Sequence, residues 1–140
     1  MARWQKYKKD VQAKELNERI TIPGWVGPDD VEKLLSQSDI LVLPSYAENL
    51  PVSMLEGMAY GLCPVVTPVG AVTDVIKDGE NGVLVPVGDV DTLSERLVDL
   101  LQDTEKCDRL AHNARQTFEK NFNIQSYQAE LSIIYNNISR

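Results

Sequence analysis

The sequence predicts an α/β domain built on a parallel sheet of about four strands with helices on both faces. Two observations carry this prediction. Short apolar runs without polar alternation recur, as at Ile40-Leu41-Val42-Leu43, and such runs suit strands buried on both faces of a parallel sheet. Segments with helical spacing lie between them, so strand and helix alternate up to about residue 102 and helices close the chain.

The elements follow in order. Residues 1–19 open with a helix carrying Trp4, Tyr7 and Val11 at i, i+3 and i+7, with lysines outside. Ile20-Thr21-Ile22 alternates, is β-branched and is closed by Pro23-Gly24, which reads as a short strand and a loop. Asp29 or Asp30 caps a helix with Val31, Leu34 and Leu35. Ile40–Leu43 is a buried strand that stops at Pro44-Ser45. Leu50 to Tyr60 reads as a helix, with Pro51 in its first turn and Gly61 as its stop. Pro64-Val65-Val66-Thr67 is the next strand, and Val72 to Ile76 forms a turn or two of helix. Asp78-Gly79-Glu80-Asn81-Gly82 is a turn cluster, and Val83-Leu84-Val85 a strand. Gly88-Asp89 opens a helix expected to put Val90, Leu93, Leu97, Leu100 and Leu101 on one face. A helix from about Thr104 to Lys120 turns Leu110, Ala111, Ala114 and Phe118 inward. A last helix is expected through Ile124, Tyr127, Leu131, Ile134 and Ile138. The chain thus divides into a leading helix (1–19), an α/β core (20–102) and closing helices (103–140).

Composition narrows the class. The 140 residues suit one domain, and the acidic balance (14 Lys+Arg against 21 Asp+Glu, net −7) argues against a nucleic-acid partner. No apolar run approaches the ~18 residues of a membrane span, and the start has no apolar signal-peptide core. A reducing cytoplasm is the expected setting. Cys63 and Cys107 form no CxxC pair, so neither a disulfide framework nor a zinc site is expected. Cys63 is expected to be buried and inert, and Cys107 partly exposed. Residues 1–20 carry +3 and the remainder −10, which reads as a solvated helix face or, as the alternative, a contact for an anionic membrane surface.

In open parallel sheets, ligands bind outside the carboxyl ends of the strands. That selects the loops after Ile22, Leu43, Thr67 and Val85. The richest is Pro44-Ser45-Tyr46-Ala47-Glu48-Asn49-Leu50-Pro51, which runs into a helix whose first amides lack intrahelical partners and so attract phosphate. Glu48 stands before that helix and Glu56 within it, and carboxylates accept from sugar or ribose hydroxyls. By spacing alone, Glu48 also reads as a helix-dipole partner and Glu56 as an exposed helix residue. The single histidine, His112, has no positioned partner for acid–base work. Asp29-Asp30 reads as capping rather than metal binding. Gly79 and Gly82 read as turn glycines, with no helix start directly after them.

The stretch from Asp39 to Val66, with its core of Glu48, seven residues and Glu56, resembles the signature of retaining GT-B glycosyltransferases of group 1, family four. The likeness continues through Val69-Gly70-Ala71 at a Val-Gly-Gly-like turn, Asp74 at an acidic position, Gly79-Glu80-Asn81-Gly82-Val83-Leu84-Val85, and the helix capped by Asp89. Upstream, Ile20-Thr21-Ile22-Pro23-Gly24-Trp25-Val26 resembles the strand and glycine before the nucleotide-base loop.

The resemblance implies a Rossmann-like, three-layer C-terminal domain of a GT-B fold. It implies transfer of a hexose-type sugar, with retention, from a nucleotide-diphosphate donor such as a UDP-sugar to a saccharide or lipid-linked acceptor in polysaccharide or glycoconjugate biosynthesis. Glu48 then holds a donor-sugar hydroxyl near the reacting carbon, and the amides of Asn49 and Leu50 face that sugar. Val52 and Ser53 offer amides to the diphosphate, Glu56 accepts from the ribose, and Trp25 and Val26 meet the base. No metal or other cofactor is implied. The family's Gly-Phe-Gly after the first glutamate is Asn49-Leu50-Pro51 here, and Pro51 has no N–H to offer.

Family members also carry a first, acceptor-side domain, and a strand and loop with an Arg and a Lys that neutralise the diphosphate. Neither has a counterpart before residue 20, so the chain resembles the later two thirds of a C-terminal domain and is expected to be inactive alone. The intact enzyme would sit in the cytoplasm or peripherally at the inner face of a membrane. Two alternatives stand beside this: a non-enzymatic, oligomerising fragment that forms a homodimer through an exposed sheet edge, and a nucleotide-sugar epimerase of related fold.

Overall fold

The computed structural model describes residues 2–124 together with Gln128, Leu131 and Tyr135. The chain forms two compact units, the first ending at Leu34 and the second beginning at Leu35.

In the first unit, α1 (Ala2–Ala13) forms as its spacing predicts. It closes where the Leu16 N–H reaches back to the Val11 carbonyl (3.0 Å), with Glu15 in the left-handed region at φ 54°. Trp4 and Tyr7 remain about half exposed. Ile20–Ile22 is not a strand: it has no pairing among the described residues. Three β-favouring residues gain little without a neighbouring ladder, because sheet propensity is mostly cross-strand packing. The helix α2 (Pro28–Ser36), whose last two residues fall in the second unit, begins two or three residues earlier than a cap at Asp29 or Asp30 would place it. Pro28 takes the first position, where a fixed φ and a missing N–H cost nothing. Asp29 and Asp30 therefore stand in the first turn, near the positive end of the helix, rather than at its cap.

The second unit carries the sheet. Its elements are β1 (Ile40–Leu43), α3 (Val52–Tyr60), β2 (Cys63–Val66), α4 (Val72–Val75), β3 (Val83–Leu84), α5 (Val90–Gln102) and α6 (Thr104–Asn121). The three strands are parallel in the order β1-β2-β3, so the described sheet has three strands rather than about four. Ile40 lies opposite Cys63, Leu43 opposite Val66, and Val65 opposite Val83.

Alternation along β2 divides the core into two faces. Cys63 and Val65 point to one side, where they meet Val83, Val85, Leu100 of α5, and Cys107 and Leu110 of α6. Val66 points to the other, against Met54 and Met58 of α3, Val72 and Val75 of α4, and Ala114 of α6. Helices thus cover both faces, and α6 contributes to each. Cys107 is buried, contrary to the partial exposure expected of it. Its spacing to Leu110, Ala111 and Ala114 (i, i+3, i+4, i+7) places it on the inward stripe of α6. In α5 the buried arc runs through Leu93, Leu97 and Leu100, while Val90 (71% exposed) and Leu101 (70%) stand at its margin and at the two helix ends.

The turn after α4 is tied to α6 by side chains. Buried Asn81 accepts from the Lys77 N–H (2.7 Å) and donates to the Val75 carbonyl (3.0 Å) and the Thr117 hydroxyl (3.0 Å). Asn113 donates to the Glu80 carbonyl (2.7 Å). Of the expected closing helix, Tyr127, Ile134 and Ile138 lie outside the described residues.

Candidate functional site

The carboxyl ends of β1 and β2 lie side by side because the strands are parallel and in register. Their following loops, 44–51 and 67–71, are therefore brought together. Thr67, directly after β2, is 1% exposed, and its hydroxyl donates to the Ser45 carbonyl at 2.6 Å. Ser45 in turn donates its own hydroxyl to Glu48 Oε1 at 2.9 Å. Further along, the Ala71 N–H donates to the Asn49 carbonyl at 2.8 Å. Gly70 has φ 55°, and a Cβ there would overlap the carbonyl oxygens of Glu48 and Asn49. Glycine is the residue that meets both demands, a left-handed backbone and a close approach.

Helix α3 starts at the end of this loop. Its N-cap, Pro51, is extended (φ −69°, ψ 120°) and offers no side-chain acceptor. The Pro51 carbonyl accepts from Met54 (3.1 Å) and Leu55 (3.4 Å), so the amides of Val52 and Ser53 precede the first intrahelical bonds. Val52, Ser53 and Glu56 are all exposed, and Glu56 stands one turn beyond Val52 on the same face. Met54, Gly57 and Met58 take the opposite face into the core. A Cβ on Gly57 would lie 2.7 Å from Leu41 Cδ2, which shows how closely α3 approaches β1.

Glu48 and Asn49 are exposed, and Leu50 turns partly inward, packing against the α3 side of the core. The second unit thus gathers Glu48, Asn49, Leu50, Val52, Ser53 and Glu56 at and beyond the end of β1. Trp25 (90% exposed) and Val26 (partly buried) belong to the first unit.

Two concavities flank the loop. One, of about 760 Å³, is bordered by Leu50, Ala71, Asp74, Asn81, Thr117 and Phe122. The other, of about 170 Å³, is lined by Pro44, Tyr46, Val85, Pro86 and Asp89, among others. Here Tyr46 leans over Gly88, where an added Cβ would stand 3.4 Å from its hydroxyl. Asp89 caps α5, and the Thr92 N–H (3.0 Å) and then the Thr92 hydroxyl (2.7 Å) hold its carboxyl below the ordinary range. Glu48, Val52, Ser53 and Glu56 line neither hollow; they form an open, exposed face.

Residues 2–117 match the family of glycosyl transferases group 1. The chain belongs to that family. Among its relatives is the N-acetyl-α-D-glucosaminyl L-malate synthase of Bacillus anthracis, 31% identical over 112 residues, which are 80% of this chain and 29% of that protein. Another is the UDP-Gal:α-D-GlcNAc-diphosphoundecaprenol α-1,3-galactosyltransferase of Escherichia coli, 28% identical over 120 residues, covering 86% of this chain and 30% of that one. The crystal structure of HepE from Anabaena in complex with UDP superposes with a TM-score of 0.83 at 19% identity, over 95% of this chain and 36% of that one. The fold is thus that of a GT-B glycosyltransferase C-terminal domain. The group 1 chain described here spans about a third of the length of the curated relatives it matches.

Sequence reasoning singled out the glutamates and the helix start, and named Gly70 and Ala71 only as a turn of the resembling stretch; it gave Ser45, Thr67, Gly70 and Ala71 no part in holding the loop. Ser45, Thr67, Gly70 and Ala71 carry no charge and, taken singly, no chemistry that points to a site. Their signal was positional: each lies in a loop that directly follows a parallel strand.

Proposed function

We propose that this chain is the donor-binding part of a glycosyltransferase that moves a hexose-type sugar from a nucleotide-diphosphate donor, with retention, to a saccharide or lipid-linked acceptor. The observation that carries the reading is the uncapped start of α3 between two exposed carboxylates, Glu48 and Glu56. Amides of Val52 and Ser53 and the positive end of the helix dipole suit a diphosphate. Glu56, one turn along the same face, suits the ribose hydroxyls, and Glu48, before the helix, suits a hydroxyl of the sugar. Trp25 and Val26 are assigned to the base through the family pattern. Stabilising the departing diphosphate would supply much of the rate, with cations from outside this chain adding to the amides.

The relatives support the substrate class. The E. coli enzyme is named for a UDP-sugar donor and a lipid diphosphate acceptor, and HepE was crystallised with UDP. An open face, rather than an enclosed cavity, is what one side of a two-domain cleft presents. An NMR titration with UDP and with UDP-glucose tests the reading. Amide shifts at Val52, Ser53 and Glu56 at millimolar nucleotide are expected. An unperturbed spectrum there refutes donor binding by this chain.

A further inference from the structure

Two polar side chains are buried in the described core, Asn81 and Thr67. Asn81 is accounted for by the turn it closes. Thr67 has no such structural duty: it follows β2, and its hydroxyl is spent on one carbonyl in another loop, 22 residues away in sequence. Burying a hydroxyl without a partner is costly, so the 2.6 Å bond to the Ser45 carbonyl fixes that peptide relative to the sheet. Ser45 then holds Glu48 through its side chain at 2.9 Å. From the other direction, the Ala71 N–H and the absent Cβ of Gly70 fix the Glu48–Asn49 backbone against the same β2 loop.

We infer that Thr67 and Ser45 are positioning residues for Glu48, setting its carboxylate so that Oε1 is held by the protein while Oε2 faces the donor sugar. The inference rests on the donor-binding reading and extends it to two residues outside the glutamate motif. An exposed glutamate on a loop samples several rotamers, and freezing it before the ligand arrives removes an ordering cost from binding. The hydroxyl of Ser45 is suited to this task. It is neutral, so it orients the carboxylate without adding a charge that would compete with the sugar. Thr67 acts one step further back: it directly follows β2, and its buried hydroxyl ties the Ser45 peptide to the end of that strand. The loop after β2 thereby sets the geometry of a carboxylate on the loop after β1.

The test uses the 140-residue chain with Ser45→Ala, Thr67→Val, Thr67→Ser and Glu48→Ala variants, and two readouts. The first needs no ligand: three-bond couplings report whether the Glu48 side chain holds one χ1 rotamer. A single rotamer is expected in the unmodified chain and in Thr67→Ser, and averaging in Ser45→Ala and Thr67→Val. The second compares affinity for UDP-glucose and for UDP. Losing the Ser45 or Thr67 hydroxyl is expected to weaken UDP-glucose binding about five- to tenfold and leave UDP binding unchanged, with Thr67→Ser restoring it. Amide spectra of the Ser45→Ala chain, altered near a partly buried residue rather than in the core, separate a loss of positioning from a loss of fold.

A single Glu48 rotamer in both Ser45→Ala and Thr67→Val overturns the inference. So does averaging in the unmodified chain. If instead Glu48→Ala binds UDP-glucose as well as the unmodified chain does, the donor-sugar role of Glu48 is wrong and the proposed function fails, whatever the couplings show.

Discussion

Gly70 concentrates two constraints in one residue: a left-handed backbone and carbonyl oxygens where a Cβ would be. Gly70→Ala is expected to destabilise the fold by about 1–3 kcal/mol, read from urea unfolding, and to displace the Glu48–Asn49 peptide. Amide shifts at Asn49 and Ala71 in the folded variant would register that displacement; a wild-type spectrum and stability would show that the clamp is dispensable. Cys63 makes a prediction of a different kind. Burial, reinforced by the neighbouring Cys107 sulfur, pushes its thiol from 9.0 up to about 12. The folded state then keeps its proton where the unfolded state has lost it, so this contribution to stability is complete below about pH 9 and declines as pH rises towards 12. Thermal unfolding followed from pH 8 to pH 11 should show the decline, and Cys63→Ala should flatten it. Both glutamates and Cys63 could be singled out from sequence because each has chemistry of its own. Thr67 and Ser45 could not, since a hydroxyl acquires its meaning only from the loop it faces.

At the level of elements, α3 shows how a helix can be drawn close to a strand. Gly57 faces Leu41, and the atom a Cβ would meet at 2.7 Å is the far end of a flexible side chain. Gly57→Ala is therefore expected to be near neutral, because a gain of about 1 kcal/mol in helix propensity offsets the crowding. Gly57→Leu has no such escape and should cost about 1–3 kcal/mol or more in urea unfolding. Equal stability of both variants would mean that α3 can shift outward freely. The strands at Ile40–Leu43 and Cys63–Val66 were legible as apolar runs without alternation. The burial on two sides expected of both holds for Cys63–Val66, which lies between two strands, whereas Ile40–Leu43 is at the edge of the described sheet and leaves Val42 38% exposed. Ile20–Ile22 carried a different local signal, alternation with β-branching, and formed no strand, because pairing partners are not written in three residues. The burial of Cys107, against the partial exposure expected of it, has a simple origin: its i+3, i+4 and i+7 neighbours are the inward stripe of α6.

Across the whole molecule, the first unit holds both tryptophans, Trp4 (54% exposed) and Trp25 (90%), and the second holds the sheet. Tryptophan emission should therefore be red-shifted and readily quenched by acrylamide, and it should follow the first unit. Far-UV circular dichroism follows mainly the second. Urea transitions by the two probes are expected not to coincide; superimposable curves would show that the units unfold as one. The candidate site was legible at this scale through its order along the chain, loop after loop at strand ends, while the three-strand count needed the pairing itself. The role of α6 on both faces of the sheet also bears on how the chain is made. Each described strand pairs with the next one in sequence, so β1, α3 and β2 can assemble once residue 66 has emerged from the ribosome, while by that point α4, β3 and α5 are being made or are emerging. Before α6 emerges, α3 and α4 already supply Met54, Met58, Val72 and Val75 to one face and α5 supplies Leu100 to the other, but each face still lacks its share of α6, Cys107 and Leu110 on one side and Ala114 on the other. During translation the nascent sheet is thus expected to be covered in part on each side, and both faces are completed together when α6, the last described long helix, leaves the ribosome.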